Sequence, residues 1–171
     1  MPENSRSVRS KHAVAMDRIY RYQRHFYDIS RKYYLFGRDR LIRQLGVPAG
    51  GSVLELGCGT GRNLVVAART YPDARFLGVD ISAEMLATAR ANVMRSGMED
   101  RISAAQGAAE DFDAAYYFET GGFDRVMLPY CLSMIPDWQA AIDNALAQIK
   151  ADGSVHIVDF GAMEEWPAVL R

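Results

Sequence analysis

A doubly wound α/β fold with a mostly parallel sheet is predicted by three observations. Short β-branched, apolar runs alternate with longer helix-like segments from residue 52 onward. A cluster of glycines directly follows the first run, and an acidic residue ends the second. Strands separated by helices pair in parallel through right-handed crossovers, because a twisted strand feeding a helix packs back onto the sheet only that way.

The elements follow in order. "SVLELG" (52–57) reads as a buried strand, and a helix spans 62–71. "RFLGVD" (75–80) is a second strand, and Ser82 is the N-cap of a helix running to Ser96. "RISAAQ" (101–106) and "FDRVMLPY" (123–130) are the third and fourth strands. "DWQAAIDNALAQIKADG" (137–153) is a helix ending at Gly153, and "SVHIVDF" (154–160) is a fifth strand. Ahead of the strands, residues 13–45 carry a helical period. Met16, Ile19, Tyr20, Gln23, Phe26, Tyr27, Ser30 and Tyr34 fall on one face, and Arg18, Arg21, Arg24, His25, Arg31 and Lys32 on the other. Gly37 breaks this pattern into two helices, and "GVPAGG" (46–51) ends the second. The expected division is a basic-aromatic helical segment over 1–45 and an α/β domain over 46–171.

A chain of 171 residues can bury one real core. With 49% hydrophobic and 24% charged residues, it has the mix of a soluble globular protein. No apolar run approaches the roughly 20 residues that span a bilayer, and the basic N-terminus has no apolar core behind it, so no signal peptide is expected. Cys58 and Cys131 lie outside any metal-ligand spacing; free thiols in a reducing cytoplasm, and no metal site, are expected. Charge is unevenly spread. Residues 1–43 hold eleven Lys or Arg against four Asp or Glu, whereas the remainder is acidic. The positive charge therefore forms a local patch suited to an anionic surface or to phosphate.

The chemistry begins at "LELGCGTGRN" (54–63). Glycines at the carboxyl end of a first strand let the backbone approach a ligand closely. The dinucleotide fingerprint G-x-G-x-x-G would need its third glycine at Arg62; this chain instead has Gly57, Gly59 and Gly61. Glu55 beside the turn is a poor neighbour for a pyrophosphate and a good one for a cationic amino-acid ligand. Asp80 ends the second strand, where a carboxylate can accept both hydroxyls of a ribose.

Together, "ELGCGTG" and "GVD-ISAEML" resemble the class I S-adenosylmethionine-dependent methyltransferases, a Rossmann-like family. The resemblance covers residues 52–160. It implies that Glu55, Gly57, Cys58, Gly59, Thr60 and Gly61 skirt the methionine part of the cofactor, and that Asp80 holds the ribose. It also implies adenine contacts from Ile81 and Met85, and from Ala109 and Glu110 after the third strand; Ala108 stands where the family commonly has Asp. "LPYCLSMIPDW", beginning at Leu128, matches the segment beside the transferred methyl group. The family has seven strands, the last two an antiparallel hairpin. This chain stops at Arg171, within what "EEWPAVLR" reads as the preceding helix, so those strands are expected to be missing.

The N-terminal "YDISRKYYLFGRDRLIR" resembles the entry helices of quinone-lipid methyltransferases. The longer run "MDRIYRYQRHFYDISRKYYLFGRDRLIRQL" with "YCLSMIPDW" resembles the bacterial N-methyltransferases of betaine-lipid synthesis, which trimethylate the amino group of diacylglyceryl-homoserine. Aromatic faces suit the cationic product nitrogen of such a substrate, and Tyr20, Tyr27, Tyr34 and Tyr130 are the candidates, with Tyr27 or Tyr130 as candidate proton acceptor. Arg38 or Arg40 takes a carboxylate of the head group or of the cofactor. Arg18, Arg21, Arg24, Arg31 and Lys32 would face an anionic membrane, making the protein cytoplasmic and peripherally membrane-associated. The partners expected are the lipid and, through an open fifth strand, a second copy of the chain; nucleic acid is disfavoured. Other acceptors, RNA or a small molecule, would use the same cofactor residues, as would a non-catalytic cofactor-binding protein. Asp159, ending the fifth strand, is left open between a structural hydrogen bond and the site rim, and His156 reads as a core histidine.

Overall fold

The structure, a computed structural model, describes residues 37–114 and 121–159. The long helical pattern before Gly37, and with it Tyr20, Tyr27, Tyr34, Arg18, Arg21, Arg24, Arg31 and Lys32, lies outside the described residues.

The described chain runs α1 (Arg38–Gln44), β1 (Ser52–Leu56), α2 (Arg62–Thr70), β2 (Arg75–Asp80), α3 (Ala83–Ser96), β3 (Ile102–Gln106), β4 (Phe123–Pro129), α4 (Trp138–Ala147) and β5 (Ile149–Val158). A short 3-10 turn, Leu132–Met134, precedes α4. The strands form one sheet in the order β3-β2-β1-β4-β5, and every pairing is parallel. The order reverses between β1 and β4, so their carboxyl ends open a crevice where ligands of such sheets bind.

Each element follows from its residues. β1 is buried along its whole length, as a central parallel strand covered on both faces must be. Alternate residues feed two cores. Val53, Phe76, Ile102 and Met127 pack with Leu41, Ile42 and Leu45 of α1, Leu64 and Ala67 of α2, and Leu86 and Val93 of α3. Leu54, Leu56, Leu77, Val126 and Leu128 pack on the opposite face with Ala141 and Ala145 of α4. Helix α3 starts where Ser82 Oγ accepts the Met85 N–H (3.2 Å) and ends at Gly97 in the left-handed conformation, the boundaries that the sequence predicts. Asp137 caps α4 in the same way, accepting the Ala140 N–H at 3.1 Å.

One boundary differs from expectation. The helix predicted to reach Gly153 ends at Ala147, and β5 begins at Ile149 rather than at residue 154. The Gln148 side chain accepts the Ala114 N–H (2.8 Å) and its carbonyl accepts the Phe123 N–H (2.8 Å), which turns the chain into the sheet. "KADG" is then a bulge: Ile149 pairs with Phe123, Ser154 with Arg125, and Lys150 reaches Asp124 at 2.8 Å.

Candidate cofactor and methyl-transfer site

The crevice is built at the carboxyl ends of β1 and β2. After Leu56 the chain turns through Gly57, Gly59 and Gly61, all left-handed (φ 72°, 55° and 73°), a region that penalises any residue with a Cβ. Two of these glycines have separate reasons. A Cβ on Gly57 would lie 2.6 Å from the Cys131 Cβ, so β1 and the loop after β4 touch there. A Cβ on Gly59 would meet nothing within 4 Å; the backbone there borders open space.

Asp80 locks this turn in place. Its Oδ2 accepts the Gly59 N–H (2.8 Å), its Oδ1 accepts the Ser82 N–H (2.9 Å), and its carbonyl accepts the Gly107 N–H (3.0 Å). The Cys58 N–H bonds the Val79 carbonyl at 2.9 Å, and Asn92 holds the Thr60 carbonyl at 2.8 Å. A carboxylate oxygen accepts more than one hydrogen bond. Asp80, half-buried at the rim, therefore keeps acceptor capacity for ligand hydroxyls.

Glu55 lies beneath the turn with 0% exposure, on the face of β1 that meets α1 and α2. Asn63, in the first turn of α2, donates Nδ2–H to Glu55 Oε1 at 2.7 Å. Glu55 Oε2 and Asn63 Oδ1 have no hydrogen-bond partner among the described residues. Burial pushes the Glu55 carboxyl up to about 8, opposed by the Asn63 hydrogen bond and the Arg38 charge. Arg38 is itself only 8% exposed. Next to it, Asp39 pairs with Arg62 at 2.8 Å, and that hydrogen bond lowers its pKa. Burial raises the pKa of both Cys58 and Cys131, so neither is a nucleophile; they are buried free thiols.

The predicted residues separate on this frame. Glu55, Cys58, Asp80 and the three glycines meet at one crevice. Met85 is buried at the start of α3, and Ile81 is half-buried, its carbonyl accepting from Gln106 Nε2 (3.1 Å). Ala109 is buried with its carbonyl held by Asn144 (2.8 Å), whereas Glu110 is half-buried. Leu128 has no exposed surface and packs in the α4-side core. Arg38 is buried beside Glu55, and Arg40 is exposed. The Tyr130 hydroxyl accepts the Gly37 N–H at 3.2 Å. Asp159, beyond the carboxyl end of β5, accepts the Ser133 N–H at 3.1 Å, the structural hydrogen bond of its two open readings. His156 is half-buried on β5 and shares a 2.9 Å hydrogen bond with Ser154; burial, then Arg125, lowers its pKa.

Sequence reasoning missed Asn63 and the Asp39–Arg62 pair. Asn63 could have been found, because it falls one helical turn before Ala67 on the buried stripe of α2, where an unexplained polar residue needs a partner.

The arrangement fits S-adenosylmethionine. Its amino-acid end is cationic at nitrogen and anionic at the carboxylate, which suits the buried Glu55 carboxyl and the Arg38 charge that acts on it. Its ribose hydroxyls suit Asp80, and the open space at Gly59 lets the backbone approach.

Comparison with known proteins agrees. Residues 53–153 match the family described as "Methyltransferase domain". The chain is 30% identical over 140 residues to a ubiquinone/menaquinone biosynthesis C-methyltransferase of Geotalea uraniireducens, covering 78% of this chain and 58% of that protein. It is 31% identical over 118 residues to phosphatidylethanolamine N-methyltransferase of Cereibacter sphaeroides, covering 69% of this chain and 55% of that protein. The chain thus spans about half the length of the curated relatives it matches. The solved coclaurine N-methyltransferase bound to N-methylheliamine and SAH shares the fold, with a TM-score of 0.61, 18% identity, and coverage of 70% of this chain and 34% of that one. Crevice, acids and family match converge: the chain belongs to the methyltransferase domain family, the class I methyltransferases whose cofactor is S-adenosylmethionine.

Proposed function

We propose that this chain carries an S-adenosylmethionine-dependent N-methyltransferase activity toward the amino group of a lipid head group, diacylglyceryl-homoserine by its N-terminal resemblance. The observation that carries the transfer reading is the pairing of Glu55 and Asp80 around one left-handed glycine turn. The relative named phosphatidylethanolamine N-methyltransferase favours a lipid amine as acceptor. The cofactor supplies an electrophilic methyl group on a sulfonium.

The chain's part is chiefly to position the reacting groups and exclude water. Asp80 accepts the ribose hydroxyls, the glycine turn lies along the amino-acid part, and Glu55 faces the ammonium end. An attacking amine must be neutral, and a dry, electropositive site lowers its pKa. Aromatic faces stabilise the cationic product nitrogen, the role given to Tyr20, Tyr27, Tyr34 and Tyr130. Arg18, Arg21, Arg24, Arg31 and Lys32 rest on an anionic membrane, each contributing about 1 kcal/mol. Among the described residues no helix is long and apolar enough to cross a membrane. A specific observation favours a second reading, C-methylation of a quinone: two relatives carry names from quinone biosynthesis and match over most of this chain.

The test is transfer of labelled methyl from S-adenosylmethionine to diacylglyceryl-homoserine, phosphatidylethanolamine, a demethylated quinone and tRNA. Label in diacylglyceryl-homoserine is expected. Label in the quinone alone selects the second reading, and label in RNA without lipid overturns both. A protein that binds cofactor yet labels nothing is a non-catalytic binder.

A further inference from the structure

We propose that Tyr130 is a positioning residue: it holds the Gly37 end of α1 against the carboxyl ends of β4 and β5, and so sets Arg38 over the amino-acid end of the bound ligand. This inference rests on the cofactor reading above. Tyr130 is the one non-glycine residue with a left-handed backbone among the described residues, at φ 57°. That conformation costs a residue with a Cβ about 1–2 kcal/mol and persists only where its surroundings dictate it.

Here the surroundings do so from two sides. The Tyr130 N–H donates to the Val158 carbonyl at 2.7 Å, which pins its backbone to β5. Its hydroxyl accepts the Gly37 N–H at 3.2 Å. Gly37 fits against both partners without a side chain, since a Cβ would lie 2.6 Å from Val158 Cγ2 and 3.1 Å from the Tyr130 hydroxyl. The next residue along the chain is Arg38, buried and close enough for its charge to act on Glu55.

The other end of α1 is held independently. Arg125 donates to the Leu45 and Gly46 carbonyls at 2.6 and 2.7 Å, and the Tyr71 hydroxyl donates to the Ile42 carbonyl at 3.0 Å. Removing the Tyr130 hydroxyl therefore loosens only the end that carries Arg38. A guanidinium beside a carboxyl complements a zwitterionic amino-acid group, which both the cofactor and a homoserine head group contain. With its hydroxyl accepting the Gly37 N–H, Tyr130 acts through Arg38.

The experiment measures S-adenosylhomocysteine binding by calorimetry, together with acceptor KM and kcat, for the wild type, Tyr130→Phe, Arg38→Ala and the double variant. Tyr130→Phe is expected to weaken ligand binding about five- to tenfold, as loss of one ordering hydrogen bond does. The double variant is expected to bind no more weakly than Arg38→Ala alone. Weaker S-adenosylhomocysteine binding supports the proposal and makes the carboxylate the cofactor's. A rise confined to acceptor KM supports it and makes the carboxylate the head group's. Gly37→Ala is expected to act in the same direction, with relief by Val158→Ala. A penalty of equal size in the Arg38→Ala background overturns the proposal, as does unchanged binding with a collapsed kcat and an altered pH profile. Failure of the wild type to bind S-adenosylhomocysteine overturns the proposed function instead, which keeps the two failures apart.

Discussion

Glu55 and Asp124 stand on adjacent strands near opposite ends of the sheet, in opposite surroundings. Asp124 Oδ2 accepts the Ser52 N–H (2.8 Å), the Ser52 hydroxyl (2.9 Å) and the Lys150 ammonium (2.8 Å). Burial raises its pKa, but the Lys150 and Ser52 hydrogen bonds outweigh that and leave it lowered. Among the described residues Glu55 has one amide donor, no exposure and an oxygen without a partner, and burial carries it up to about 8. A carboxylate surrounded by donors belongs to the scaffold, where it ties β1, β4 and the bulge of β5 together. A buried carboxyl with one oxygen unpartnered among the described residues is the acid that the proposed function sets against the cofactor's ammonium end. Unequal satisfaction of two acids separates the binding end of the sheet from its structural end.

Substitutions can break that contrast. The largest effect is expected for Glu55→Gln in the cofactor-free protein. The folded pKa lies above the unfolded one, so the folded state binds the extra proton. The stability contributed by Glu55 is therefore present below about 4.5 and lost as pH rises through about 8. Chemical denaturation near pH 9 should find the variant more stable than the wild type, by on the order of 3–5 kcal/mol, with the difference vanishing toward pH 5. An equal difference at both pH values would mean that Glu55 does not titrate in this range. Asp124→Ala should act with the other sign, costing about 2–4 kcal/mol at neutral pH because Lys150 and Ser52 lose their acceptor. Its S-adenosylhomocysteine affinity should not move.

Asp80→Ala should lower S-adenosylhomocysteine affinity by about 100-fold through loss of a charged acceptor. A change below threefold in calorimetry would remove Asp80 from the ribose. Gly59→Ala sharpens the same division with the smallest effect. Its methyl group enters open space, so the folded protein should lose only the left-handed strain, about 1–2 kcal/mol by thermal melting. Cofactor binding should suffer more than stability if the ligand passes there.

The binding end of the sheet was legible in the sequence because its signals are local. Glycines at 57, 59 and 61 and acids at 55 and 80 sit at fixed offsets from strand ends, and the parallel pairing follows from the alternation of elements. The start of β5 was not legible. "IKADG" continues a helical pattern, and only Gln148, held by Ala114 and by Phe123 across the sheet, stops the helix. The sequence offered Arg38 and Arg40 equally for a carboxylate; that Arg38 is the buried one depends on how α1 docks. The role of Tyr130 was equally hidden: no local pattern marks a tyrosine for left-handed backbone when its partners, Gly37 and Val158, come from distant parts of the chain.

The parallel register has a consequence for how the chain assembles. Ser52 pairs with Arg75 and Phe76 with Ile102, so β1, β2 and β3 close through short loops; Val53 must find Arg125, much farther along the chain. The longer closure costs about 1 kcal/mol more in chain entropy and slows the search. During synthesis the half carrying the glycine turn and Asp80 leaves the ribosome first, with one edge of β1 unpaired until β4 follows. That waiting edge, destined to be buried along its whole length, is where a nascent chain is most prone to pair with the wrong partner.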